Sequence, residues 1–101
     1  MAQVYIHFKN GAFIPLSDTV PVSFYSDWDY KVRNFLDIRP RTYDKYLSVL
    51  HTIPNECSQN TVNALFSSLH DPFVKSVSFC LYGSDVVQVV DKLSVSGFRM
   101  R

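Results

Sequence analysis

Hydrophobic and polar residues alternate through the first quarter of the chain, and this alternation predicts half-buried β-strands. In residues 3–8 the aliphatic and phenylalanine side chains take every second position, which places them on one face of a strand. The dipeptide Asn10-Gly11 follows, and it favours a tight hairpin because both residues tolerate positive φ. Further strands are predicted over 12–16 and 19–25, so this part of the chain is expected to form a small antiparallel meander.

The spacing of the hydrophobic positions changes to three and four after this meander, which predicts helices. Ser26 can cap a first helix over 26–38, which Pro40 ends, and a second helix is predicted over 42–52. The clearest helical pattern lies at 58–70. Its apolar stripe consists of Val62, Leu65, Phe66 and Leu69.

The last quarter of the chain begins with a strand pattern and continues with an ambiguous one. Residues 74–82 alternate with a period of two, which predicts a strand. Residues 84–96 carry valines that suit one face of a helix, yet four valines within five positions also suit a strand. The helical interpretation is favoured because Gly97 lies where a helix is expected to end.

Together these elements predict a single α+β domain over residues 1–101. A small antiparallel sheet, made of the N-terminal meander plus the later strand, is expected to be covered on one face by three to four helices. The predicted core consists of Val62, Leu65, Phe66, Leu69, Val77, Phe79 and Leu81. If the Phe66 ring is fully buried, Phe66→Ala should lower the free energy of unfolding by about 3–5 kcal/mol.

The composition predicts a globular chain with aromatic side chains to spare. Of the 101 residues, 47% are hydrophobic and 19% are charged, so burial of apolar surface can offset the entropy of ordering the chain. The chain has eight phenylalanines and six tyrosines, more than one small core readily holds. Some aromatic side chains are therefore expected on the surface, where tyrosine is typical of protein interfaces.

Cysteine usage and hydropathy predict a soluble, cytoplasmic protein. Cys57 and Cys80 form no CxxC pair and no disulfide framework, which favours free thiols in a reducing compartment. The N-terminal sequence alternates where a signal peptide would be uniformly apolar. No apolar run approaches the roughly 18 residues that would span a bilayer.

The formal net charge is +1, so an electrostatic partner would have to meet a local patch. The candidate patch lies at 29–46, where bases are interleaved with tyrosines. Its candidate binding residues are Tyr30, Lys31, Arg33, Arg39, Arg41 and Lys45. The last two arginines flank Pro40, which is expected to form a corner that projects both outward. The simpler interpretation is a solvated helix pair, because aspartates within and just before the segment can neutralise these bases.

Residues that could carry catalysis or hold a metal ion do not form a known pattern. The three histidines and two cysteines show no recurring ligand spacing, and no acid, base and oxyanion donor can be named together. The sequence therefore predicts no catalytic residues, no metal ion and no cofactor. The protein is expected not to be an enzyme.

Two functions fit these observations. The first is a small stand-alone protein-protein interaction protein, an inhibitor, adaptor or accessory subunit that binds a larger protein or complex with an acidic surface. This profile is also typical of phage or mobile-element proteins directed at a host complex. The alternative is a nucleic-acid-binding module that uses the basic ridge at 31–45, with Arg99 and Arg101 as further cations. The identity of the partner and the oligomeric state do not follow from the sequence.

Overall fold

A computed structural model of the protein describes residues 3–26 and 48–101. Within these ranges the chain forms seven strands and one α-helix. In chain order they are β1 (Val4–Phe8), β2 (Phe13–Pro15), β3 (Val22–Ser26), β4 (Ser48–Ile53), α1 (Gln59–Leu69), β5 (Ser76–Cys80), β6 (Val87–Asp91) and β7 (Val95–Met100). A 3₁₀ turn, Lys92–Ser94, joins β6 to β7. The described part of the chain is therefore mostly β-structure.

The strands form two antiparallel sheets. A three-stranded sheet has the order β2-β1-β7, and a four-stranded sheet has the order β4-β3-β5-β6. A single bridge between Leu16 and Leu81 links the two sheets. Register shifts interrupt the pairing of β1 with β7 and of β3 with β4, whereas β5 pairs with β6 in one continuous register.

The hairpin between β1 and β2 forms where the sequence predicts it. Gly11 has a φ of +91°, a conformation that costs glycine little because it has no Cβ. The Asn10 side chain accepts a hydrogen bond from the Ala12 N–H at 2.9 Å, and the Phe8 N–H donates to the Ala12 carbonyl at 2.8 Å. The predicted turn at Asn10-Gly11 is thus confirmed.

The helix predicted over 58–70 is also confirmed, as α1. The Ser58 hydroxyl accepts a hydrogen bond from the Thr61 N–H at 3.3 Å, which satisfies one of the free N–H groups at the helix start. α1 packs against β7, β4 and β3. Its buried residues are Thr61, Val62, Leu65, Ser68 and Leu69.

The core lies where the two sheets and α1 meet. Phe24 of β3 and Phe98 of β7 make an edge contact with ring centroids 6.3 Å apart, so an aromatic pair joins the two sheets directly. The buried hydrophobic cluster consists of Val4, Ile6, Leu16, Val22, Phe24, Val62, Leu65, Leu69, Val74, Val77, Phe79, Val95 and Phe98. Residues far apart in the chain therefore share one core.

The predicted α+β arrangement, a small antiparallel sheet covered by three to four helices, is wrong. The described residues contain two antiparallel sheets and a single helix. The three strands of the predicted meander also do not lie in one sheet, because the chain leaves the first sheet after β2. The Ser17 hydroxyl accepts hydrogen bonds from the Thr19 and Val20 N–H groups, and this turn directs β3 into the other sheet.

The prediction of a helix over 42–52 is wrong for its described part. Residues 48–53 form β4, which pairs with β3 from Val22↔Ile53 to Ser26↔Ser48. The β-branched side chains of Val49, Thr52 and Ile53 suit this pleated surface. The helix predicted over 26–38 begins at Ser26, which is instead the last residue of β3, and the rest of it lies outside the described residues.

The helix favoured over 84–96 is wrong as well. This stretch contains β6, the 3₁₀ turn and the first residues of β7. The spacing of the valines fits both the helical period and the strand period. Pairing with β5 makes this segment a strand. The Asp91 carboxylate accepts a hydrogen bond from the Leu93 N–H at 2.8 Å, which fixes the turn that ends β6.

One predicted core position is wrong within the correctly predicted helix. Phe66 is 48% exposed, whereas Leu65 is fully buried. The buried stripe of α1 is centred on Leu65 and includes Thr61 and Ser68, so Phe66 lies about 100° around the helix from the middle of the stripe. Leu81 is only partly buried against the core.

Candidate functional site

β6 is the outer strand of the four-stranded sheet, and its side chains are largely exposed. Val86, just before the strand, is 60% exposed and Val87 is 57% exposed. Val89 is also exposed, whereas Val90 packs against the core. An outer strand with exposed valines presents apolar side chains beside unpaired backbone groups.

The backbone groups that β6 leaves unpaired can be assigned from its pairing with β5. The Lys92 N–H donates to the Lys75 carbonyl at 2.9 Å, just beyond the pair Ser76↔Asp91. Because hydrogen-bonded residues alternate along an antiparallel ladder, residues 88, 90 and 92 bond toward β5. The N–H and C=O groups of Val87 and Val89 therefore point away from the sheet.

The other outer strands carry features that hinder the addition of a further strand, and β6 does not. β2 has three residues and ends in Pro15, which cannot donate a hydrogen bond. β4 has a register shift in its pairing with β3, and β7 packs against α1 and has a shift of its own. β6 contains no proline, no glycine and no cation, and its register is continuous. It is the least protected outer strand of the described fold.

Two further exposed side chains, Tyr82 and Leu93, lie in the segments that flank β6. Both segments are held by hydrogen bonds, since the Val86 N–H donates to the Ser84 hydroxyl at 3.1 Å and the Asp91 carboxylate fixes the turn at Leu93. We call the surface formed by Tyr82, Val86, Val87, Val89 and Leu93 the β6 edge. Its apolar residues belong to an ordered segment, so binding there costs little conformational entropy.

Charged residues lie at both ends of the β6 edge and not in its middle. Asp85 precedes the strand, and Asp91 is its last residue. The Lys92 ammonium group donates to the Asp71 carbonyl at 2.9 Å. The centre of the edge is therefore uncharged, with a carboxylate at its Asp85 end and a carboxylate next to an ammonium group at its Asp91 end.

His51 and Asp71 form a polar pair elsewhere on the molecule. His51 Nε2 lies 2.8 Å from Asp71 Oδ2, and the Phe73 N–H donates to Asp71 Oδ1. The hydrogen bond from His51, followed by that from the Phe73 backbone, lowers the pKa of Asp71. Among the residues the structure describes, no hydroxyl or thiol bonds to His51, so the pair connects β4 to the segment after α1 without forming a nucleophilic triad.

Two shallow grooves lie on the described surface. One, of about 560 Å³, is lined by Ser17, Asp18, Thr19, Tyr82, Gly83, Ser84 and Asp85. The other, of about 360 Å³, is lined by Lys9, Leu69, His70, Lys92, Leu93, Val95 and Ser96. The first is acidic and the second is basic. Within residues 3–26 and 48–101, no three His, Cys, Asp or Glu side chains converge to hold a metal ion.

The candidate site predicted from the sequence lies outside the described residues. This applies to Tyr30, Lys31, Arg33, Arg39, Arg41 and Lys45, which therefore stay a prediction. The valines of the β6 edge were missed because their spacing was interpreted as the inner stripe of a helix. The signal that could have revealed them is the density of β-branched residues between 86 and 90.

Comparison with protein-family models, curated proteins and solved structures gave no significant match. Among the described residues, no helix has the length and apolar character needed to cross a membrane. Evidence for function therefore has to come from the geometry of the chain itself.

Proposed function

We propose that this protein is a small protein-protein interaction protein that binds an extended segment of a larger partner along β6. The observation that carries the proposal is the continuous, unprotected outer strand with exposed valines. In strand addition of this kind, the backbone N–H and C=O groups of the partner segment hydrogen-bond to those of the edge strand. Alternate side chains of the partner segment contact the protein and provide specificity. The protein would act as an inhibitor, adaptor or accessory subunit by occupying its partner's segment.

The β6 edge has the two components that strand addition requires. The outward N–H and C=O groups of Val87 and Val89 supply hydrogen bonds, which do not depend on the partner's sequence. The exposed side chains of Val86, Val87 and Val89 supply apolar contacts that do depend on it. The partner segment is expected to place small or β-branched apolar side chains opposite these valines.

The charged residues at the ends of the β6 edge indicate which charges a partner segment should carry. With Asp85 at one end and Asp91 next to Lys92 at the other, the β6 edge favours a segment that has an uncharged centre and a lysine or arginine opposite Asp85. The acidic partner surface predicted from Arg39 and Arg41 would have to meet a different part of the chain. That contact, and an origin in a phage or mobile element, remain proposals that rest on the sequence alone.

Affinity capture with three forms of the protein tests the proposal. Val89→Pro removes an outward N–H group but no hydrogen bond to β5, whereas Val89→Thr keeps both the N–H group and the branched side chain. We expect the parent and Val89→Thr to retain the same partner, and Val89→Pro to weaken its binding at least about tenfold, as loss of hydrogen bonds and apolar contact at an interface centre does.

Circular dichroism and urea unfolding establish that each captured variant is folded. A partner retained equally by all three forms would contradict binding along β6. Failure of the parent protein to retain any partner would contradict the proposal as a whole.

A further inference from the structure

The three-stranded sheet has an outer face whose composition differs from that of the β6 edge. Val4 and Ile6 of β1 point into the core, so Tyr5 and His7 point to the opposite face because side chains alternate along a strand. Phe13 of β2 pairs directly with His7. This outer face therefore carries aromatic side chains on neighbouring strands.

The rings on this face contact one another. His7 and Phe13 stack with centroids 5.3 Å apart and planes inclined by 16°, and Tyr5 lies 5.8 Å from Phe13. Phe13 is nevertheless 46% exposed. The exposed part of this ring is held in place by ordered neighbours.

Two arginines from β7 and the residue after it accompany these rings. Arg99 pairs with Tyr5 across the β1–β7 ladder, and the Arg101 guanidinium carbon lies 4.4 Å from the centre of the Phe13 ring. The one ion pair among the described residues is His51–Asp71, so neither guanidinium is neutralised by a described carboxylate. A guanidinium stacked on a ring keeps its N–H donors at its edge, where they can bind phosphate.

His7 contributes a flat ring whose protonated form is disfavoured. Burial lowers the pKa of His7, and the charges of Arg99 and Arg101 lower this pKa further. Its Nε2 atom is buried without a hydrogen-bond partner in the described structure, so protonation there would leave a charge unsolvated. The positive charge of this face therefore lies on the two arginines.

The basic groove is linked to β1 by one hydrogen bond. Ser96, which lines the groove, donates to the His7 carbonyl at 3.1 Å. Gly97 pairs with His7. Phe66 lies beside Gly97, and its ring contacts His70 in a tilted arrangement with centroids 4.3 Å apart. The groove therefore borders this face but is not part of it, since its Lys92 ammonium group donates to the Asp71 carbonyl and its Leu93 belongs to the β6 edge.

We propose that this face, defined by Tyr5, His7, Phe13, Arg99 and Arg101, binds single-stranded nucleic acid. Because the Arg101 guanidinium already lies over the Phe13 ring, an unpaired base stacks there by displacing this guanidinium, and the two arginines contact the phosphates. A duplex fits less well because its bases are already stacked on one another. The inference is independent of binding along β6, which uses the other sheet.

Fluorescence anisotropy with labelled oligonucleotides tests this inference on the full chain. The probes are single-stranded oligothymidylate and oligouridylate of about 12 nucleotides, a length within the usual range for such sites, and a duplex of mixed sequence. We expect both single strands to bind more tightly than the duplex, with an affinity that falls as salt increases.

Three variants separate stacking from charge. Phe13→Ala should weaken single-strand binding by about 5- to 100-fold while leaving the salt dependence unchanged, since one stacked base is lost. Arg99→Gln combined with Arg101→Gln should lower the slope of log K against log salt by about 1.4, because each phosphate contact contributes about 0.7. Lys75→Gln removes an exposed cation at the start of β5 and should change neither quantity.

Circular dichroism on each variant establishes that it is folded before its binding is compared. Absence of binding to either single strand at about 50 mM salt would overturn the inference. Tighter binding of the duplex, or single-strand binding that Phe13→Ala and the double arginine variant leave unchanged, would overturn it too.

Discussion

Phe66 and Leu65 show that the position of a residue around a helix determines how much it contributes to the core. Leu65 is fully buried in the core. Phe66 is half exposed, contacts His70 and lies beside Gly97. A helical stripe predicted from spacing alone gives both residues equal weight. The spacing correctly predicted that α1 forms. It did not predict which side of the helix is buried, because that depends on where β7, β4 and β3 lie.

Paired alanine substitutions measure this difference. We expect Leu65→Ala to lower the free energy of unfolding by about 2–5 kcal/mol, because it removes buried methyl groups and leaves a cavity. Phe66→Ala should cost about 1 kcal/mol, since much of its ring already contacts water. Urea unfolding at one temperature compares the two, and an equal or larger loss for Phe66→Ala would contradict the orientation of α1.

The predictions that succeeded at the level of the element depended on local chemistry. Asn10 and Gly11 specify the β1–β2 hairpin through positive φ and a side-chain hydrogen bond within the turn. Ser58 specifies the start of α1 by capping it. Neither signal needs a distant partner, so both can be recognised in the sequence.

The predictions that failed depended on pairing between distant strands. β4 and β6 have sequences that also suit a helix, and their form is decided by β3 and β5, which supply the neighbouring backbone. The same cause hid the β6 edge, because an exposed edge exists only once the order of the strands is known. Arg99 and Arg101 were anticipated as cations, but the rings beside them become a site only when β1, β2 and β7 assemble.

Proline substitutions at neighbouring positions test the orientation of β6. Val90 bonds toward β5 and packs against the core, so Val90→Pro should lower the free energy of unfolding by at least about 1–3 kcal/mol through a lost ladder hydrogen bond and altered packing. Val89→Pro should cost less, because its N–H group points outward. Urea unfolding of both variants compares these losses in the free energy of unfolding. A larger loss for Val89→Pro than for Val90→Pro would show that Val89, and not Val90, bonds toward β5.

At the scale of the whole molecule, the two candidate surfaces belong to different sheets around one core. The β6 edge lies on the four-stranded sheet and the aromatic and arginine face lies on the three-stranded sheet. Phe24 and Phe98 join these sheets in the core. Substitutions on one surface can therefore be made without removing side chains from the other.

Amide hydrogen exchange on the parent protein, alone and in complex with the partner it captures, tests binding along β6 most directly. Strand addition buries the outward N–H groups of Val87 and Val89 in new hydrogen bonds, so their exchange should slow at least about tenfold in the complex. The N–H groups of Gln88 and Val90 already bond to β5 and should change less. A complex in which Val87 and Val89 exchange as fast as in the free protein would contradict the proposed mode of binding.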